Sequence, residues 1–216
     1  MTKDQHPSRL LVVFDVDSTL IEQEVIELLA DYAGKRAEVE AVTARAMAGE
    51  LDFTGSLKAR VAVLKGLPES VITETLSNLT LTPGALEAVN YIHSVGGKVG
   101  AVSGGFIELL APLAAKLNLD FYRANQLEVV DGYLTGNVTG VIIDKPAKAG
   151  ALREWATVLH LPLGQTIAVG DGANDLDMME VAGLSVGFNA KPKVRARADV
   201  LIARNDLRDL IPLIGF

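Results

Sequence analysis

Apolar residues recur along the chain in two different periods. Short apolar runs rich in β-branched residues predict buried strands. These runs are residues 10–14, 98–102, 166–169, 184–187 and 199–203. Apolar residues spaced by three and four positions predict helices between them. These segments include residues 85–93, 106–117, 148–159 and 175–181. The alternation favours an α/β, Rossmann-like fold, with a mostly parallel sheet and helices on both faces.

Two segments depart from this alternation. Residues 22–78 follow the first strand and carry helical spacing only, which predicts a helical insert. Asp131-Gly132 stands between two apolar runs and suits a tight turn with positive φ at both central residues, so we expect a β-hairpin there. The expected division is a core of residues 1–20 and 80–216 and a helical cap of residues 21–79.

Composition narrows the classes of protein that fit. A chain of 216 residues with 49% hydrophobic residues can bury one sizeable core with a small appended subdomain. The net charge of −7 argues against nucleic acid or an anionic membrane as the main partner. There is no cysteine, which excludes disulfides and thiolate zinc sites and fits a reducing, cytoplasmic location. We expect neither a signal peptide nor a membrane-spanning segment.

Two aspartates follow the first predicted strand directly. Asp15 and Asp17 are two positions apart, so in extended backbone their carboxylates lie on the same side. If a divalent cation neutralises the first, it can stay ionised as a nucleophile while the second is held near neutral for proton transfer. Taken alone, Asp15, Ser18 and Thr19 could equally cap a turn.

A second acidic motif, Gly170-Asp171-Gly172-Ala173-Asn174-Asp175, also follows a predicted strand. Because the carboxyl ends of parallel strands meet at one edge of the sheet, Asp171 is expected close to Asp15. Carboxylate oxygens are the ligands that Mg²⁺ prefers. Asp171 fits a direct ligand, and Asp175 fits an outer position that fixes a water or a lysine. Asn174 and Asp175 could instead simply start a helix.

A possible phosphate site lies between a strand and a helix further along. Ser103-Gly104-Gly105 offers a hydroxyl and unhindered amides at a helix N-terminus, although alone it could be a plain loop. Lys148, near the start of a later helix, would set a positive charge against a phosphoryl group or the aspartates, unless it is a solvated surface lysine. Lys145 lies in the same segment, and the expected helix start favours Lys148.

In kind and order, these motifs resemble those of the haloacid-dehalogenase-like phosphohydrolase superfamily, over residues 10–208. The resemblance implies that Asp15 forms an aspartyl-phosphate and that Asp17 acts as general acid and then general base. It also implies Mg²⁺ as cofactor, held by the carboxylates of Asp15 and Asp171 and the main-chain carbonyl of Asp17. Lys148 would be a catalytic residue that stabilises charge on the phosphoryl group.

Within that superfamily the chain resembles the members that hydrolyse O-phosphoserine in serine biosynthesis. The matching segments are residues 15–19, Glu24, residues 49–60, 102–106 and 169–175. In this comparison Arg60 faces the carboxylate of the substrate and Glu24 its ammonium group, under a cap that excludes water. The phosphate would contact Ser103, Gly104, Lys148 and Asn174. Phe53, in contrast, is expected in the apolar core of the cap.

Several alternatives stay open at this level. Glu24 could be an ordinary first-turn carboxylate of a helix and Arg60 a solvated helix residue. Another capped phosphatase or phosphotransferase, acting on a small phosphate such as phosphohomoserine, would carry the same motifs. A receiver-like switch would also have a phosphorylated aspartate, but it needs neither Asp17 nor a long helical lid. The oligomeric state is left undetermined.

Overall fold

The computed structural model describes residues 9–48 and 51–214. Residues Gly49 and Glu50, the first two of the matching segment 49–60, therefore lie outside the description. Seven described strands form one sheet in the order β4-β3-β2-β1-β5-β6-β7. They are β1 Leu11–Phe14, β2 Lys98–Phe106, β3 Phe121–Val130, β4 Tyr133–Thr139, β5 Thr166–Gly170, β6 Leu184–Phe188 and β7 Val200–Ile202.

Strand β1 lies in the middle of the sheet and pairs in parallel with both β2 and β5. All other neighbours are also parallel except β3 and β4, which form the predicted antiparallel hairpin. Asp131 and Gly132 turn this hairpin with φ of 52° and 79°, as the dipeptide predicts. The mostly parallel, Rossmann-like α/β fold is thereby confirmed.

Nine described helices accompany the strands. They are α1 Val25–Tyr32, α2 Arg36–Ala48, α3 Phe53–Ala62, α4 Ser70–Ser77, α5 Ala85–Ser94, α6 Ile107–Leu117, α7 Lys145–Val158, α8 Leu176–Val181 and α9 Pro192–Arg195. A π-helical turn covers residues 16–20, and 3₁₀ segments cover residues 163–165, 173–175 and 207–213. The first four helices fill the predicted insert, whereas α9 and the last turn were missed because their apolar patterns are too short to show a period.

The apolar core occupies both faces of the sheet. Val12 and Phe14 face one side, where they join α5, α6 and the four insert helices in one continuous cluster. Leu11 and Val13 face the other side and pack with Trp155 and residues of α8 and α9. All side chains of β1 are buried because a central parallel strand is covered on both faces, and this explains its uninterrupted apolar run.

One predicted loop is absorbed into a strand. The expected boundary at residue 102 is wrong, because β2 continues through Ser103-Gly104-Gly105 to Phe106 and α6 begins at Ile107. The register of β2 against β3 shifts between Val102 and Phe106. Glycine-rich backbone can bulge there without losing the extended conformation, so the glycines mark an irregular strand end rather than a separate loop.

The helical insert is tied to the rest of the fold at two places. At its ends, Ile21 and Leu81 form an antiparallel bridge, which brings the two connecting chains side by side. Further along, the Gly66 amide donates to the Leu134 carbonyl at 2.8 Å, and the Leu134 amide donates to the Leu67 carbonyl at 2.9 Å. The insert therefore rests against the β3–β4 hairpin.

Candidate active site

The end of β1 and the end of β5 bring two acidic motifs together. The Asp15 amide donates to the Val169 carbonyl at 2.8 Å, so the two strands stay paired up to the point where the motifs begin. Asp15, Asp171 and Asp175 each offer a carboxylate oxygen, and these three oxygens lie within 4.8 Å of one another. All three residues are buried. The expected juxtaposition at the carboxyl edge of the sheet is thus present.

Lys148 lies at the centre of this acidic group. Its Nζ atom donates to Oδ1 of Asp15 at 2.6 Å and to Oδ1 of Asp175 at 2.8 Å, and its side chain is 1% exposed. Lys145 instead occupies the first position of α7 and is partly exposed. Asp144 caps α7 by accepting from the Ala147 amide, which fixes the helix start and turns Lys148 inward.

Burial and crowding of carboxylates set the charges here. Burial lowers the pKa of Lys148, but Asp15 and Asp175 outweigh it and hold the pKa above its ordinary value, so the ammonium stays charged. Burial raises the pKa of Asp171 to about 6, with Asp15 acting in the same direction. Burial and the charge of Asp15 also raise the pKa of Asp175. Burial and mutual repulsion thus disfavour the charged forms of Asp171 and Asp175, and a bound cation would offset this effect.

Asp17 follows Asp15 in a π-helical turn, Val16–Leu20, that begins directly after β1. Asp15 and Asp17 themselves have extended φ and ψ, but the expected run of uninterrupted extended backbone between them is wrong because Val16 is helical. Ser18 then turns the chain with a left-handed φ of 57°. Oδ1 of Asp17 is buried and has no hydrogen-bond partner among the described residues. Burial raises the pKa of Asp17 well above its ordinary value, and Glu24 and Asp15 add to this effect. A buried carboxyl with a raised pKa and one unpaired oxygen can hold a proton and release it to a leaving group.

The Ser103-Gly104-Gly105 segment lies beside Asp17. Oγ of Ser103 accepts from the Gly105 amide at 2.8 Å. A Cβ atom at Gly105 would lie 3.0 Å from Oγ of Ser103 and 3.1 Å from Oδ2 of Asp17, so a larger residue here would require these groups to shift by a few tenths of an ångström. A Cβ at Gly104 would lie 3.0 Å from Cζ of Phe53. Phe53 packs against the apolar cluster as expected, but its ring edge also covers Gly104.

Asn125 holds this segment from behind, and the sequence reasoning did not single it out. Its buried amide donates from Nδ2 to the Gly104 carbonyl at 2.8 Å and accepts at Oδ1 from the Ile143 amide at 2.8 Å. The side chain therefore joins the irregular end of β2 to the segment that leads into α7. A lone asparagine within a strand carries no motif that would reveal this role.

Glu24 and Arg60 bring opposite charges from the helical insert. Oγ of Ser18 donates to Oε1 of Glu24 at 2.9 Å, so the turn after Asp17 fixes the position of this carboxylate. Arg60 is partly buried, and burial lowers its pKa from a very high ordinary value while Glu24 raises it. Apart from a 3.3 Å bond from its Nε to the Ser56 carbonyl, Arg60 makes no hydrogen bond or salt bridge with a described residue.

Asn174 occupies the turn between β5 and α8. A Cβ atom at Gly172 would collide with Oδ1 of Asn174, so this glycine allows the amide to fold back over the motif. The Gly172 amide donates to Oδ2 of Asp175 at 3.1 Å. Because Lys148 binds the other oxygen of Asp175, both oxygens of that carboxylate are engaged, in keeping with a supporting position.

Lys191 is a second cation that the sequence reasoning missed. Its Nζ atom lies 2.9 Å from Oδ2 of Asp171 and 3.8 Å from Oε1 of Glu24. Burial lowers the pKa of Lys191, but Asp171 and Glu24 outweigh it and raise the pKa. Its place in the sequence could have indicated this role, because Lys191 follows strand β6 and the carboxyl end of β6 reaches the same edge of the sheet.

The donor set fits a divalent metal ion. Carboxylates of Asp15 and Asp171 supply the hard oxygen ligands that such ions prefer, and a bound cation would offset the repulsion from Asp15 that helps to raise the pKa of Asp171. The ligand atoms of this cluster are all carboxylate oxygens, and neither histidine nor cysteine belongs to it. Such a ligand set suits a hard cation rather than a soft one.

A doubly covered parallel sheet with two aspartate motifs and a buried lysine at its carboxyl edge defines a hydrolase fold of the haloacid-dehalogenase type. The sequence model of the haloacid dehalogenase-like hydrolases matches residues 12–180. The chain belongs to this family.

Two curated proteins are similar to this chain over most of its length. Phosphoserine phosphatase SerB2 of Mycobacterium tuberculosis is 50% identical over 96% of this chain and 51% of its own length. A phosphoserine phosphatase of Streptococcus thermophilus is 49% identical over 94% of this chain and 95% of its own length. The chain thus spans about half of the first relative and nearly all of the second.

A solved structure agrees with this comparison. It is described as a phospho-aspartyl intermediate analogue of phosphoserine phosphatase and superposes with a TM-score of 0.92 at 40% identity. The superposition covers 96% of this chain and all of that one. No helix among the described residues is long and apolar enough to cross a membrane.

Proposed function

We propose that this protein is a magnesium-dependent phosphatase that hydrolyses O-phosphoserine to serine and phosphate. The strongest support is the environment of Asp15, a buried carboxylate held by Lys148 near Asp17, whose buried Oδ1 has no hydrogen-bond partner among the described residues. The relatives named phosphoserine phosphatase and the phospho-aspartyl analogue structure carry the same interpretation.

In the first half-reaction, a carboxylate oxygen of Asp15 attacks phosphorus and forms an aspartyl-phosphate while the phosphorus bond to the serine oxygen breaks. Oδ1 of Asp15 is engaged by Lys148, which leaves Oδ2 without a hydrogen bond to a described residue. Asp17 gives its proton to the departing oxygen, as its raised pKa allows. The departing serine oxygen therefore leaves as a neutral hydroxyl group and not as an alkoxide.

In the second half-reaction, water attacks the same phosphorus atom and the bond to Asp15 breaks. Asp17, now a carboxylate, takes a proton from this water, which restores both aspartates. Lys148 and the Ser103 hydroxyl stabilise charge on the phosphoryl oxygens, with Gly104 and Asn174 completing the phosphate site. Inorganic phosphate is then released.

Magnesium would be held by the carboxylates of Asp15 and Asp171 and the main-chain carbonyl of Asp17, with Asp175 in an outer position. A bound ion would supply positive charge that offsets the negative charge on the transferring phosphoryl group. Asp175 would position Lys148, which it contacts at 2.8 Å.

The non-phosphate part of the substrate would be recognised by the helical insert. Arg60 has no salt-bridge partner among the described residues and faces the charge of Glu24 through space, so the two can bind the carboxylate and ammonium of one zwitterion. We propose that residues 21–79 form a cap domain and that residues 1–20 and 80–216 form the core, joined where Ile21 pairs with Leu81. We also propose a cytoplasmic location, which fractionation of the source cells would test.

Phosphate release from a panel of phosphomonoesters tests the proposal. The panel contains O-phosphoserine, O-phosphohomoserine, O-phosphothreonine and p-nitrophenyl phosphate, each with magnesium and with a chelator. We expect the highest kcat/KM for O-phosphoserine, loss of turnover with the chelator, and a fall of at least about 10³-fold for Asp15→Asn. Native-like turnover by Asp15→Asn would refute the nucleophile, and a better substrate in the panel would refute the specificity.

A further inference from the structure

Two lysines reach the acidic cluster, and they differ in how firmly they are held. Lys148 is 1% exposed and is fixed by two aspartates. The side chain of Lys191 is 45% exposed and contacts Asp171, whose side chain is only 7% exposed. One cation is therefore a permanent part of the interior, whereas the other approaches the cluster from the solvent side.

The backbone holds Lys191 beside Asp171 whatever its side chain does. The Lys191 amide donates to the Asp171 carbonyl at 2.8 Å. Pro192 then starts α9, and the buried side chain of Val194 anchors this short helix in the core. The ammonium group can thus leave Asp171 by rotating its flexible stem into solvent, without any movement of the main chain.

The contact made by Lys191 competes electrostatically with a metal ion on the same carboxylate. Oδ2 of Asp171 is occupied by Nζ at 2.9 Å. A divalent cation on Asp171 would bring two like charges close together in a partly buried site, which is unfavourable. The same ammonium group also lies 3.8 Å from Glu24, the residue proposed to bind the substrate ammonium.

We propose that Lys191 is the displaceable counter-ion of the metal-free site: its ammonium group neutralises Asp171 until a divalent cation takes its place. This inference rests on the proposed magnesium site. Lys191 acts through Asp171 and is a positioning residue, not a catalytic one. By stabilising the metal-free protein it weakens magnesium binding, since any free energy gained only in the metal-free state must be given up on binding.

The test compares magnesium binding by chelator-treated, substrate-free proteins in isothermal titration calorimetry. Lys191→Met removes the charge and keeps the length of the side chain, Lys191→Arg keeps the charge, and Lys193→Met changes an exposed lysine two positions away. We expect Lys191→Met to bind Mg²⁺ about 3- to 10-fold more tightly than the unmodified protein. The arginine variant and the Lys193 variant keep the original affinity.

Thermal unfolding provides a second readout that a merely structural role would not produce. We expect Lys191→Met to lower the melting temperature of the chelated protein by about 2–4 °C and to leave that of the magnesium-saturated protein unchanged. A lysine that only supports the fold would lower both melting temperatures equally.

Two outcomes overturn the inference in distinguishable ways. If Lys191→Met binds magnesium with unchanged or weaker affinity while the unmodified protein binds the ion and hydrolyses O-phosphoserine, only the role of Lys191 fails. If the unmodified protein binds no magnesium at all, the proposed metal site fails and the inference fails with it.

Discussion

The Nζ atom of Lys148 lies 2.6 Å from Oδ1 of Asp15, a residue 133 positions earlier in the chain. Lys148→Met should therefore impair both activity and stability. Without the ammonium, two buried carboxylates lose their partner, so we expect the free energy of unfolding to fall by about 3–5 kcal/mol. Turnover of O-phosphoserine should fall at least about 10²-fold, because positive charge near the phosphoryl group is lost.

Lys145→Met is the matched control for this variant, since it removes a partly exposed lysine one helical turn earlier. Urea denaturation followed by the fluorescence of Trp155, the only tryptophan, measures stability, and phosphate release measures turnover. Equal effects of the two substitutions would contradict the assigned position of Lys148. The control should change stability by less than about 0.5 kcal/mol.

Arg60→Ala should separate substrate recognition from the chemical step. The guanidinium has no salt bridge to a described residue and is proposed to bind the substrate carboxylate. We expect kcat/KM for O-phosphoserine to fall about 10²-fold, mainly through KM, while hydrolysis of p-nitrophenyl phosphate changes by less than about 3-fold. Lys58→Ala, on an exposed position of the same helix, serves as control. Parallel losses on both substrates would argue against this role.

The metal-free protein should become less stable as the pH rises through the range in which Asp171 titrates. Its pKa is about 6 in the folded chain and 3.8 in the reference state, so the folded state binds more protons between these values. The free energy of unfolding then falls with increasing pH in that window. Asp171→Asn removes this contribution and should gain about 2–3 kcal/mol relative to the unmodified protein between pH 4 and pH 7.

Urea denaturation of both proteins in chelator at several pH values measures that difference. The comparison between the two proteins cancels groups whose pKa shifts in the opposite direction, such as Asp120, which its contacts with Lys98 and His93 hold low against the effect of burial. A stability difference that stays constant with pH would show that Asp171 does not titrate in this window.

Asn125→Leu should destabilise the end of β2. Its side chain satisfies the Gly104 carbonyl and the Ile143 amide, and leaving both unpaired should cost about 2–4 kcal/mol of unfolding free energy. Because Gly104 belongs to the proposed phosphate site, we also expect turnover to fall about 10-fold. Asn90→Leu, on the exposed side of α5, should leave both quantities nearly unchanged. A stable, fully active Asn125→Leu protein would contradict this assignment.

The sequence predicted the strands that lead into the site for a local reason, although β2 ends at Phe106 and not at the predicted residue 102. A run such as Leu11–Phe14 is buried on both faces, so its composition signals a central strand before any tertiary contact is known. The residues that follow such strands are then expected at one edge of the sheet, which placed Asp15 near Asp171. The preference for Lys148 over Lys145 depended on an expected helix start at Lys148, and that start is wrong because α7 begins at Lys145. Lys148 nevertheless is the lysine that contacts Asp15.

Other residues of the site could not be predicted from the sequence around them. Lys191 and Asn125 are single polar residues without a recurring spacing, and their partners, Asp171 and Gly104, are distant in the chain. The ring of Phe53 looked like ordinary apolar core, yet it also covers Gly104. Contacts of this kind depend on side-chain direction and on how the insert lies over the sheet, and periodicity carries information about neither.

The sequence by itself determined the α/β order of elements, the hairpin at Asp131-Gly132 and the set of acidic residues at the strand ends, because burial and turn geometry act on neighbouring residues. Only the tertiary structure decided which charges meet: that Lys148 is locked between Asp15 and Asp175, and that Lys191 contacts Asp171 from the solvent side. Electrostatic free energy depends on distance and burial in space, and separation along the chain does not specify either quantity.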